Sequence, residues 1–184
     1  MAKAREIPGL SAEDSYAAAA ARIVSVRAQE LVDHAAGVLD MGDIERVHDM
    51  RVATRRLRAA LEVFEPCFPG KRVRTDLREV KQLADALGER RDRDVAIVAL
   101  DRLAEQMAAP DRAGIDILIA RFRDEQRRAN VELASFVAGD RLESLRERLD
   151  DLVSEAWAAA PEEEQAAGAG DALMDGAGPG GSGQ

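Results

Sequence analysis

A chain of 184 residues, 46% hydrophobic and 33% charged, is long enough to bury one core, and no stretch approaches the run of about 18 apolar residues that a membrane-spanning helix needs. Aromatic residues are only 3% of the chain while alanine, leucine and arginine abound, so the core is expected to be aliphatic and helical, with strand signals nearly absent. The single cysteine, Cys67, excludes an intrachain disulfide and reads as a small buried hydrophobe, and the opening MAKAREIPGLSAED lacks the apolar run of a signal peptide, which predicts a cytoplasmic protein.

In chain order, Ser11 and Asp14 form a capping pair ahead of an alanine-rich helix expected to run to Asp40, and Gly42 with Asp43 breaks it and caps the second helix. That helix ends between Pro66 and Gly70, where two prolines and a glycine oppose continuation. A third helix is predicted from Lys71 to Leu87, with Gly88 as a turn, and a fourth from Asp92 to Met107, ahead of Pro110. Asp111 is placed to cap a fifth helix reaching Phe136. Gly139 stops it, and Asp140 with Glu143 repeats the capping-box pattern for a sixth helix ending near Ala159. The fold class is therefore all-α, an antiparallel helical bundle of about six helices. Residues 1–10 are a leading segment, 11–160 the helical domain and 161–184 an acidic, glycine-rich tail. The stretch from Gly168 to Gln184 holds seven of the 14 glycines, which predicts disorder.

The second helix carries VHDMRVATRRLRAALEVF, residues 47–64, with four arginines between Arg51 and Arg58. At about 100° per residue, Arg51, Arg55 and Arg58 fall within about 80° of His48, whereas Met50, Leu57, Leu61 and Phe64 cluster on the opposite side. Arg56 alone lies on the other flank. On the next helix Lys71, Arg74, Arg78 and Lys81 share an arc of about 80° opposite Val73, Leu77, Val80, Leu83 and Leu87. Residues 46–93 contain 13 of the 26 Lys and Arg residues but 8 of the 35 acids, a net +5 against −14 for the remainder. The arginine stripe contains no acid before Glu62. Guanidiniums gathered without counter-charges repel one another, and their planar forks match phosphate oxygens, so the pattern points to a polyanion.

These residues resemble a known family. VHDMRVATRRLRAALEVF, then a basic helix, then LGERRDRDVAIVAL, is similar to the first half of the CHAD family, the conserved histidine alpha-helical domain, over Ser11 to Ala159. The resemblance implies an all-helical fold that binds inorganic polyphosphate through a basic surface and directs proteins to polyphosphate granules. It implies ligand contacts for His48, Arg51, Arg55, Arg56 and Arg58, and for Lys81 and Arg91; Arg74 and Arg78 join them on the basic arc of the third helix. Family members usually carry a second helical half with its own His-x-x-Arg stretch, which has no counterpart here. An isolated half would leave apolar surface uncovered, and a two-fold homodimer is the commonest way to cover it.

Other chemistries fit less well. His48 with Asp49, or with Asp92 and Asp94, would make a metal site set among arginines, which is poor electrostatics for a cation, so no metal and no cofactor are expected. Asp92 and Asp94 read instead as caps of the fourth helix that hold Arg91 and its neighbours. No nucleophile stands at readable spacing from a base, no Walker-type glycine loop is present and no carboxylate cluster of the triphosphate-cleaving kind appears, so the protein is expected to bind rather than catalyse. A nucleic-acid backbone would also satisfy the arginines and stays open as the alternative, as does a metal-dependent accessory domain for phosphate processing. The acidic remainder and the scarcity of aromatics for base stacking weigh against nucleic acid. The alanine and arginine richness matches GC-rich bacterial coding.

Overall fold

The computed structural model describes residues 3–137 and 139–161, and within them the chain forms five α-helices and two 3₁₀ turns, without strands. The helices are α1 (Tyr16–Asp33), α2 (Ile44–Val63), α3 (Gly70–Glu105), α4 (Ala113–Val137) and α5 (Asp140–Ala158). The 3₁₀ turns, Glu65–Cys67 and Ala109–Asp111, sit at the predicted prolines. The expected tail, 161–184, lies outside the described residues except for Pro161.

The predicted third and fourth helices are one. Gly88 continues the helix, because an interior glycine costs only about 1 kcal/mol and the flanking apolar period runs on unbroken. Asp92 and Asp94 are consequently interior residues and cap nothing. The first helix is shorter than expected. Ser15 is its N-cap, accepting from the Ala18 backbone N–H at 3.2 Å, while Ser11 and Asp14 close a turn in front of it. It stops at Asp33, and Gly37 takes a left-handed φ of 73° in the turn that follows. A side chain at Gly37 would also meet Arg46, whose Nη1 donates to the Ala36 carbonyl at 3.1 Å. Asp43 caps α2 as expected, accepting from the Glu45 N–H, and Gly139, at φ 70°, separates α4 from α5. Asp140 belongs to the first turn of α5 rather than capping it; with Glu143 it faces the positive end of the helix dipole.

Four helices enclose the aliphatic core. α1 packs on α2 and α5, and α3 packs on α2 and α5 from the other side. Val24 and Leu31 of α1, Met50, Leu57 and Leu61 of α2, Leu83 and Leu87 of α3, and Leu149 and Leu152 of α5 meet there, all buried. This core closes within one chain, while Val95 and Leu103 of α3 and Ile117 and Val131 of α4 stay exposed. Among the described residues no helix is long and apolar enough to cross a membrane.

The fifth member, α4, pairs with α3 and joins this core mainly through Leu133, Phe136 and Val137. Farther along, α4 is held by buried polar groups. Arg90 and Asp94 of α3 pair at 3.1 Å with both side chains fully buried. Asp94 accepts from Gln126 of α4 at 2.6 Å, and Arg90 donates to Asn130 at 3.0 Å, while Asn130 donates to the Leu39 carbonyl at 3.0 Å. Burial pushes the Asp94 carboxyl above its ordinary value against the pull of Gln126 and Arg90, and lowers Arg90 despite Asp94 and Asp40. This network joins the turn after α1, the middle of α3 and α4 at the level of Gly88 and Arg91.

Candidate functional site

The buried residues of α2, from Val47 through Leu61, point its opposite face outward, and there Arg51, Arg55 and Arg58 are exposed and His48 is partly so. On α3, burial of Val73, Leu77, Val80, Leu83 and Leu87 turns Arg74, Arg78 and Lys81 outward in the same way. α2 and α3 lie side by side, and four contacts fix them as antiparallel. Glu65, in the turn after α2, is 3.7 Å from Arg74; Glu62 is 3.0 Å from Lys81; Arg51 lies over Gly88; and Arg91 reaches both the Ile44 carbonyl at 2.9 Å and Glu45 at 3.3 Å. The two basic stripes thus form the edges of one seam.

Of the nine residues named from the sequence, eight lie along this seam: His48, Arg51, Arg55 and Arg58 on α2, and Arg74, Arg78, Lys81 and Arg91 on α3. Arg56 does not. It faces α1, 3.9 Å from the buried carboxylate of Glu30, which also accepts from the Arg27 guanidinium and the Arg5 backbone N–H. Burial raises the Glu30 carboxyl, but those donors more than reverse this and hold it below the ordinary range. Arg56 therefore ties α2 to α1.

The seam cations fall into two sets. Among the described residues, Arg51, Arg55 and Arg78 have no ion pair or hydrogen bond, although most arginines of this chain are paired. Arg58, Lys81, Arg74 and Arg91 are held by glutamates to which the sequence reading gave no role in the site. Glu62 takes both Arg58 at 3.1 Å and Lys81 at 3.0 Å, and these two cations hold its carboxyl below the ordinary range, Lys81 first. Its i,i+4 spacing from Arg58 was visible in the sequence; its reach to α3 was not. Glu45 and Glu65 hold Arg91 and Arg74.

Among the described residues, no cation of the seam lies over an aromatic ring. Tyr16 stacks on Phe64 with centroids 5.0 Å apart and donates its hydroxyl to the Val63 carbonyl, and Trp157 lies under Arg22. Among the described residues no group of three or more His, Cys, Asp or Glu side chains is placed to hold a metal. The geometry offers an open row of guanidinium and ammonium donors, suited to an anion that presents many oxygens in line.

No curated protein and no solved structure matches the chain significantly. The family model of the CHAD domain matches residues 22–177, most of the chain, with the whole seam inside the match. An all-helical fold that exposes two facing basic stripes, together with that match, places the chain in the CHAD domain family, which is associated with binding of polyphosphate and triphosphate compounds.

Proposed function

We propose that the chain binds inorganic polyphosphate along the α2–α3 seam, as a non-catalytic cytoplasmic module that associates with polyphosphate granules. The observation that carries this reading is that, among the described residues, Arg51, Arg55 and Arg78 have no partner while the other arginines mostly do. Three like charges left open on two facing helices destabilise the free protein, and an anion arriving there relieves the repulsion on both helices at once. Arg58, Lys81, Arg74 and Arg91 extend the row at both sides, and His48 stands beside Arg51 and Arg55 on the exposed face of α2. A polyanion lying along the seam meets cations from both helices, whereas a single phosphate meets only a few.

A linear polyphosphate needs neither groove shape nor base-stacking surfaces, only closely spaced cations. Nucleic acid would use the same arginines, yet aromatic residues that could stack on bases make up only 3% of the chain and the remainder of the chain carries −14 against the +5 of residues 46–93. The test is a binding comparison of long-chain polyphosphate, tRNA and duplex DNA at two salt concentrations. Polyphosphate should bind tightest at both, with affinity falling steeply as salt rises, because each phosphate contact releases counterions; for DNA each contributes about 0.9 to the log–log slope. Equal or tighter binding of either nucleic acid would overturn the proposal.

A further inference from the structure

The seam is already bridged by an anion of its own. Glu62 Oε1 lies 3.1 Å from Arg58 Nε on α2 and 3.0 Å from Lys81 Nζ on α3, so one carboxylate oxygen accepts from cations on both helices. Those are the contacts a phosphate oxygen would make in the same place. Glu62 is 41% exposed and its hydrogen bonds are all to seam cations, so nothing else holds the side chain there. By contrast, Arg51, Arg55 and Arg78 have no partner to exchange among the described residues.

We infer that Glu62 is a built-in competitor of the ligand: it occupies the anion position between Arg58 and Lys81, an incoming phosphate group displaces it, and it thereby limits the strength of binding. This rests on the seam being the polyphosphate site. In the free protein Glu62 neutralises two cations that would otherwise repel each other. In the complex its carboxylate swings into solvent while phosphate oxygens take over Arg58 and Lys81. The free energy of that exchange is subtracted from the ligand's attraction to the seam, so affinity is set partly by a residue that opposes binding.

The test is a double-mutant cycle on the full chain with long-chain polyphosphate at fixed salt, using Glu62→Gln, Lys81→Ala and the double variant. Asp92→Asn serves as the charge control: it is exposed, lies within about 20° of Lys81 around α3, and has no ion pair among the described residues. Glu62→Gln should tighten binding about two- to fivefold, the range expected when an exposed ion pair is removed from competition. Lys81→Ala should weaken binding more in the Glu62→Gln background than in the wild type, because the ammonium is then free for the ligand. Asp92→Asn should give a smaller gain and no coupling to Lys81. Unchanged or weaker binding by Glu62→Gln, additive effects of Glu62 and Lys81, or an equal gain from Asp92→Asn would each overturn the inference while leaving the seam as the site. Failure of the wild-type chain to bind polyphosphate would overturn both.

Discussion

Removing Asp94 isolates a charge in the middle of the fold. Arg90 and Asp94 are fully buried 3.1 Å apart, so Asp94→Ala leaves a guanidinium in an apolar setting with only Asn130 to receive it. Breaking a buried pair from one side costs about 3–5 kcal/mol, and Gln126 also loses the acceptor it reaches at 2.6 Å, a further loss of about 1–3 kcal/mol if water does not replace it. The lower end of that range, about 4 kcal/mol, is already a large part of the 5–15 kcal/mol that stabilises a typical domain. With a urea dependence of about 2 kcal/mol per molar, the unfolding midpoint should fall by about 2 M, read by circular dichroism. Replacing both residues, Arg90→Met with Asp94→Leu, should recover most of the loss, since a well-packed apolar pair can replace a buried ion pair at little cost. A midpoint for Asp94→Ala within about 0.3 M of wild type would refute the account of α4 as held by this network.

Three further outcomes follow from the same contacts. Because the folded-state carboxyl of Glu30 is held below its unfolded value of about 4.3, its contribution to stability is present above that pH and is lost as pH falls through the folded value. Glu30→Gln should therefore flatten the acid limb of a plot of urea midpoint against pH, and an unchanged limb would contradict the assignment. Arg56→Ala should lower stability by about 1 kcal/mol and leave polyphosphate affinity within about twofold, since Arg56 faces Glu30 rather than the seam; a large affinity loss would return it to the site. Light scattering should show single chains without ligand and several chains on one long polyphosphate, because the aliphatic core closes within one chain; a ligand-free dimer would contradict this.

The aliphatic period of α2 was legible residue by residue: Met50, Leu57 and Leu61 are buried where the 3.6-residue repeat puts them, and the histidine and three of the arginines face out. Arg90 was missed although the same repeat marks it. Leu83, Leu87, Arg90, Asp94 and Ile97 follow one another at steps of three and four, a single inward stripe in which two members are charged. Their opposite charges, four residues apart, were the available sign that they satisfy each other indoors. Gly88 misled because glycine marks a possible stop, while the apolar repeat on either side decides whether the helix goes on. Arg56 was named through the family motif although its helical angle sets it off the stripe, and the structure turns it toward Glu30 of α1 as that angle implies. The bridging role of Glu62 depends on which residue of α3 lies opposite α2, and that register belongs to the packing of the two helices rather than to any local pattern.

Reversal of two unpaired seam cations tests the central claim most directly. In Arg51→Glu/Arg55→Glu both guanidiniums lack partners among the described residues, so no ion pair seen there is lost and the helical signal should stay at the wild-type level. Arg102→Glu/Arg128→Glu changes the net charge equally at two other arginines, on α3 and α4, that have no ion pair among the described residues. Titration with long-chain polyphosphate should show binding abolished in the first variant and nearly retained in the second. Retained binding by Arg51→Glu/Arg55→Glu, or an equal loss in both variants, would contradict the assignment of the α2–α3 seam as the polyphosphate site.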